Sequence, residues 1–142
     1  MSETITYRDL WHYKYYLLEK YSILTKLQPK KSIVSVGGWV NLTVKGTLTM
    51  KAGYCWNGAS SAKDTPSNMR PSLVHDALYQ LMREGLLPQS YRSAADDLYQ
   101  ALCREDGMNR FRAWYHRKVL LHFAEFAAKE NDVPEIVRLT AP

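Results

Sequence analysis

Long apolar runs are missing from this chain. Its 142 residues contain no stretch of about eighteen apolar residues, so no transmembrane helix is expected. No secretory leader is expected either. The first nine residues hold Glu3 and Asp9 and no apolar segment. The expected compartment is therefore the cytoplasm of the producing cell. Cysteine is scarce. Cys55 and Cys103 stand far apart and form no CxxC, which points to two reduced, partly buried thiols rather than a disulfide framework. The four histidines (His12, His75, His116 and His122) do not combine with them at zinc spacing. Internal repeats and low-complexity stretches are absent as well.

Acids are fewer than bases, 14 against 19, giving a net charge of +5 and a pI near 9.2. The excess lies in two places. Seven lysines and the single acid Glu19 fall between Trp11 and Trp56, and Arg110, Arg112, Arg117 and Lys118 form a second group. Such charge suits a solvated basic surface or an anionic partner: phospholipid, nucleic acid or an acidic protein.

Hydrophobic residues at 46% and aromatics at 12% supply enough material for one packed domain over residues 1–142. The pattern predicts an α+β fold, with an N-terminal antiparallel β-rich part over 11–52, a motif loop over 53–71 and three helices over 72–130. Residues 11–18 are aromatic and suit a strand, and residues 21–27 continue it. The β-branched runs 33–36 and 40–44 flank the turn signal Gly37-Gly38. Thr47 to Met50 alternates as a half-buried strand does, with Lys45-Gly46 as a hairpin turn. Gly53, Gly58, Pro66 and Pro71 mark the loop, and loops of that length are often functional.

Ser72 is a candidate N-cap for a first helix ending near Arg83, with Val74, Leu78 and Leu81 on one face. A second helix spans about Ser90 to Arg104 around Ala95, Leu98 and Leu102. A third spans about Asn109 to Lys129, with Phe111, Trp114, Tyr115, Val119, His122 and Phe126 as its apolar stripe. Its basic residues project elsewhere, as the outer face of a core helix or as a surface for phosphate-rich material. His116 and His122 carry no assigned role.

His75 and Tyr79 lie four apart on the first helix, and Asp96 and Tyr99 three apart on the second, so each pair shares a face. A short connection makes the two helices an antiparallel pair. Asp96 can then sit opposite His75, fix its tautomer and leave the other ring nitrogen as a base. Asp97 competes for that role. Asp76 is left as a hard oxygen ligand for a cation, with loop carbonyls near Gly58 as co-ligands and Asp64 as a further loop acid.

The segments 52–60 (Ala-Gly-Tyr-Cys-Trp-Asn-Gly-Ala-Ser), 72–79 (Ser-Leu-Val-His-Asp-Ala-Leu-Tyr) and 92–96 (Arg-Ser-Ala-Ala-Asp) resemble an uncharacterised domain family common in tailed phages, prophages and bacteria. The likeness runs from about Tyr16 to Phe126 and implies a phage-type protein, with the virion as one expected location. The same motifs resemble, more distantly, the bacterial and fungal type of secreted phospholipase A2. That resemblance implies His75 as general base, Asp96 orienting it and Tyr79 hydrogen-bonded nearby. It also implies calcium held by Asp76, Asn57 and the loop at Gly58, polarising an ester carbonyl. The chain departs from the pattern where Asn57 replaces the loop acid and Ala59 the cysteine after it. The expected functions are a calcium-dependent ester hydrolase or a non-catalytic virion or host-modulating module on the same scaffold.

Overall fold

The computed structural model describes residues 5, 7–9, 15–58 and 65–128. Among these residues, seven short strands precede three helices: β1 (Tyr7–Asp9), β2 (Tyr15–Leu17), β3 (Tyr21–Leu24), β4 (Ile33–Val34), β5 (Val40–Leu42), β6 (Thr47–Met50), β7 (Cys55–Trp56), α1 (Pro66–Arg83), α2 (Arg92–Glu105) and α3 (Arg110–Ala128). The α+β class is as expected. The strands form two antiparallel sheets, ordered β1-β2-β7 and β3-β6-β5-β4. Residues 11–14 of the expected first strand lie outside the described residues.

Alternation explains the four-stranded sheet. Tyr21 and Ile23, Val40 and Leu42, and Leu48 and Met50 point to one face and are buried. The register aligns them across strands, with Ile23 opposite Leu48, and Val40 opposite Met50. A one-residue slip would turn all of them to water. The other face mixes Ser22, Asn41 and Thr49 with the exposed Leu24 and Val34, and the Ser22 and Thr49 hydroxyls lie 2.8 Å apart. Gly46 turns the β5–β6 hairpin at a φ of 96°. A Cβ there would meet the Thr25 and Leu27 carbonyls at 2.6 and 2.7 Å, so only glycine fits.

The buried sheet face and the helices share one core. On α1, Leu73, Val74, Ala77, Leu78, Leu81 and Met82 are all buried, so the helix is wrapped on nearly every side. Each of the buried Leu, Val and Met side chains contributes about 1.5–3 kcal/mol. Helix α2 packs against α1 as its antiparallel neighbour, and α3 packs chiefly on α2.

Two expectations about the helices need correction. Helix α1 begins at Pro66 rather than Ser72, with Thr65 as its N-cap and the Thr65 N–H donating to Asn68 Oδ1 at 2.9 Å. Pro71 sits inside the helix at the cost of one backbone hydrogen bond. Burial of Met69 and the anchoring of Arg70 offset that cost. Arg70 donates twice to Asp106, at 2.7 and 3.0 Å, and once to the Tyr21 hydroxyl at 3.1 Å. The motif loop is correspondingly shorter than 53–71, since Cys55–Trp56 forms β7 and α1 takes 66–71.

The second correction concerns α3. Its first two turns bury Ala113 and His116, not the aromatic stripe. Phe111, Trp114 and Tyr115 are exposed. The side chains of His122 and Phe126 lie outside the described residues. The close approach of α2 and α3 explains the choice: a small Ala113 permits it, where a bulky ring would hold the helices apart.

Candidate functional site

A polar cluster sits between α1 and α2, inside an otherwise apolar interface. His75 Nε2 lies 2.7 Å from Asp96 Oδ1, and the Tyr79 hydroxyl donates to that same oxygen at 2.7 Å. All three side chains are buried, with Asp96 only 1% exposed and His75 6%. The helical four-residue spacing brings the His75 and Tyr79 rings together, with centroids 4.1 Å apart and planes tilted by 31°. A buried carboxylate without partners would be costly, and two short hydrogen bonds stabilise its charge. Burial, and then the hydrogen bond to Asp96, push the Tyr79 hydroxyl far above its ordinary pKa, so it remains a donor.

The choice between Asp96 and Asp97 is settled by facing. Asp97 projects into solvent and pairs with Arg117 at 2.6 Å. Asp96, one position round the helix, points into the α1–α2 interface.

The cluster extends further than the sequence suggested. The Tyr99 ring meets His75 edge-on at 5.4 Å. The Tyr99 hydroxyl lies 3.1 Å from His116 Nδ1, which links the network to α3. Burial, with the Arg112 charge as a smaller cause, lowers the His116 pKa and favours a neutral ring. His116 was the residue missed. Its position three after Ala113, opposite the aromatic face, was the available signal.

Ser72 also has a different task from the expected cap. Its hydroxyl accepts from Trp56 Nε1 at 3.1 Å and donates to the Met69 carbonyl at 2.9 Å. It thus ties β7, at the start of the motif segment, to α1. A second tie is Tyr54, whose hydroxyl donates to Gln80 Oε1 at 3.0 Å. Burial, and secondarily the negative charge of Asp76, raise the Tyr54 pKa beyond the usual phenol range.

The cation ligands expected from the sequence are less well gathered. Asp76 is half-buried on the Tyr54 side of α1, Asn57 is exposed, and Gly58 is buried at a φ of 76°. Asp76 and Asn57 each already interact with other groups. Ala59, Ser60 and Asp64 lie outside the described residues. Among the described residues, no three acids, histidines or cysteines converge on one point. Among the described residues the side-chain share of a calcium site thus comes to one carboxylate and one amide, a thin set for a hard cation that takes six to eight oxygens.

A groove of about 630 Å³ lies elsewhere, between β3 and the outer face of α2, lined by Ile23, Leu27, Leu98 and Leu102 among others. Of its charged lining, Arg70 pairs with Asp106 and, at 3.7 Å, with Glu105, Asp97 pairs with Arg117, and Lys26 completes the set. It holds no imidazole–carboxylate pair, so the buried cluster is the better candidate for a reactive centre. The cysteines take no part: Cys103 is a buried free thiol pushed up to about 12 by burial, and Cys55 a half-buried one raised by the same cause.

Among the described residues no helix is long and apolar enough to cross a membrane. No family model, no curated protein and no solved structure matches the chain.

Proposed function

We propose that the protein is a phospholipase A2-like ester hydrolase with His75 as its general base. One observation carries this reading: Asp96 Oδ1 accepts from both His75 Nε2 and the Tyr79 hydroxyl. A carboxylate at Nε2 holds the neutral imidazole's proton on that nitrogen. The Nδ1 lone pair then remains to take a proton from water as that water attacks an ester carbonyl. Asp96 stabilises the imidazolium so formed. Tyr79, held as a donor, keeps the carboxylate oriented. The proton on Nδ1 then passes to the leaving alkoxide. Such a base supplies about 10²–10⁴-fold in rate.

Calcium, where bound, would polarise the ester carbonyl and offset charge on its oxygen. Asp76, Asn57 and the Gly58 backbone are the groups of this chain that would hold it. The proton transfers at His75 do not depend on which group polarises the ester. The phage resemblance fits a protein that meets a bacterial envelope or host lipid.

The deep burial of His75 favours a second reading, in which the cluster is a specifying core network of a non-catalytic binding module. Release of fatty acid from anionic phospholipid vesicles, with calcium present, separates the two. Hydrolysis by the native protein that falls about 10²–10⁴-fold in His75→Gln, with the fold retained, supports the hydrolase. No release by the native protein, joined to a large loss of melting temperature in His75→Gln, supports the binding module.

A further inference from the structure

Helix α3 displays a surface that neither the core nor the buried cluster uses. Phe111, Trp114 and Tyr115 are 72%, 49% and 55% exposed, and their spacing sets them on one stripe. Lys118 continues the stripe, with its ammonium 5.6 Å from the centre of the Trp114 ring. Arg110 and Arg112 fall about 100° to either side of Phe111, one on each flank of the stripe. A hollow of about 440 Å³ opens beside it, lined by Gln100, Arg104, Arg110, Phe111 and Trp114. The buried face of the same turns is Ala113 and His116, so the aromatics are not core residues caught at a margin.

We propose that this α3 stripe docks the protein on an anionic phospholipid bilayer. Phe111 and Trp114 would enter the boundary between headgroups and acyl chains. Arg110, Arg112 and Lys118 would meet the lipid phosphates, and the hollow at Arg104 and Arg110 would seat one of them. The residue types are those of an interfacial helix, with aromatic rings at the boundary and cations beside them. The complementary charge of the partner follows from the cations that rim the stripe. A single-stranded nucleic acid shares the phosphate chemistry but fits less well. The Phe111 and Trp114 rings are tilted by 34° with centroids 6.0 Å apart, and Lys118 lies over the Trp114 ring, so the two rings form no parallel platform for successive bases. This docking does not rest on the hydrolytic reading, because it requires no turnover.

The test is sedimentation of the full chain with phosphatidylglycerol vesicles and with phosphatidylcholine vesicles, at moderate salt. Binding to the anionic vesicles alone is expected. The double variant Arg110→Gln, Arg112→Gln should weaken it about 25-fold, since each surface cation contributes about fivefold. Phe111→Ser should weaken it without changing its salt dependence. Brominated lipid should quench the native protein's fluorescence, and Trp114→Phe should remove most of that quenching. Equal binding to both vesicles, no binding, or quenching unchanged in Trp114→Phe would overturn the proposal. Tighter binding to an oligothymidine, lost in the same variants, would overturn it in favour of nucleic acid.

Discussion

Between α1 and α2 the protein buries a carboxylate, an imidazole and a phenol, while on α3 it turns a phenylalanine, a tryptophan and a tyrosine to solvent. Both regions run against the usual sorting of polar and apolar groups. They differ in how the departure is stabilised. The buried cluster is internally satisfied, since Asp96 has two donors and His75 and Tyr79 each have an acceptor. The α3 stripe has no comparable cover among the described residues, and its rings meet mainly each other and Lys118. A buried network of this kind fixes geometry, whereas an exposed aromatic stripe is available to a partner. The contrast predicts that mutations in the first region act on folding and chemistry together, and mutations in the second leave folding nearly untouched.

The sharpest way to break the comparison is Asp96→Ala. Loss of the carboxylate leaves two buried polar partners unsatisfied, at about 1–3 kcal/mol each. It strands both the His75 nitrogen and the Tyr79 hydroxyl. Urea denaturation should show that loss. Tyr79→Phe, which removes one hydrogen bond to a charged oxygen, should lose about 1.5–3 kcal/mol. A double-mutant cycle of the two should give a large coupling, because they share Oδ1. Near-neutral behaviour of Asp96→Ala would mean that the cluster is neither tightly satisfied nor structurally required.

Ser72→Ala probes the tie between the motif segment and α1. It leaves Trp56 Nε1 without its partner in a buried place, a cost of about 1–3 kcal/mol. Ala113→Leu probes the α3 contact and should cost a similar amount, about 1–3 kcal/mol, through overpacking against α2. Both are read from denaturation midpoints.

The two regions were not equally legible in the sequence. The α1–α2 cluster followed from helical spacing: His75 with Tyr79, and Asp96 on a neighbour brought antiparallel by a short connection. That reasoning is local geometry plus one tertiary inference, and the distances agree with it. The choice of Asp96 over Asp97 was not legible, because adjacent residues on a helix differ by only about 100°. The α3 stripe was misread for a physical reason. Periodicity reveals that aromatics share a face, but not which face meets the core. Ala113 and His116 won the core because the α2–α3 approach is close, and closeness is a property of the packed molecule. The start of α1 was misplaced because Pro71 resembles a helix boundary. Pro66 and Thr65 already supplied a proper start, and the helix tolerated the second proline.

A pH series sharpens the comparison at its hinge, since His116 joins the buried network to α3. Its folded pKa lies below the ordinary imidazole value, with burial as the first cause and Arg112 as the second. Between the folded and unfolded values the unfolded chain holds a proton that the folded chain lacks. The folded state therefore has its full stability above pH of about 6.5 and loses some as pH falls below that value toward the folded pKa. His116→Gln should flatten this fall. Urea midpoints across the acidic range for both proteins provide the measure. An equal slope in the variant would assign the acid sensitivity to other groups.

The smallest effect should come from Phe111→Ser. The ring is the most exposed of the large apolar side chains described, and its ring contact is the exposed Trp114. Little apolar area returns to water on unfolding, so the transfer contribution that makes core deletions costly is nearly absent. A change within about 0.5 kcal/mol is expected, with either sign. Serine is a weaker helix former than an ideal residue, yet close to phenylalanine in helical preference, so propensity adds little. Thermal melts of Phe111→Ser and Ala113→Leu, two residues apart on one helix, place the two faces side by side. A small shift for the first and a large one for the second keeps the division between inner and outer face. A loss above about 2 kcal/mol for Phe111→Ser would instead mean that the ring is covered in solution, by a neighbouring part of the chain or by a second copy, and that the stripe is not free to meet a membrane.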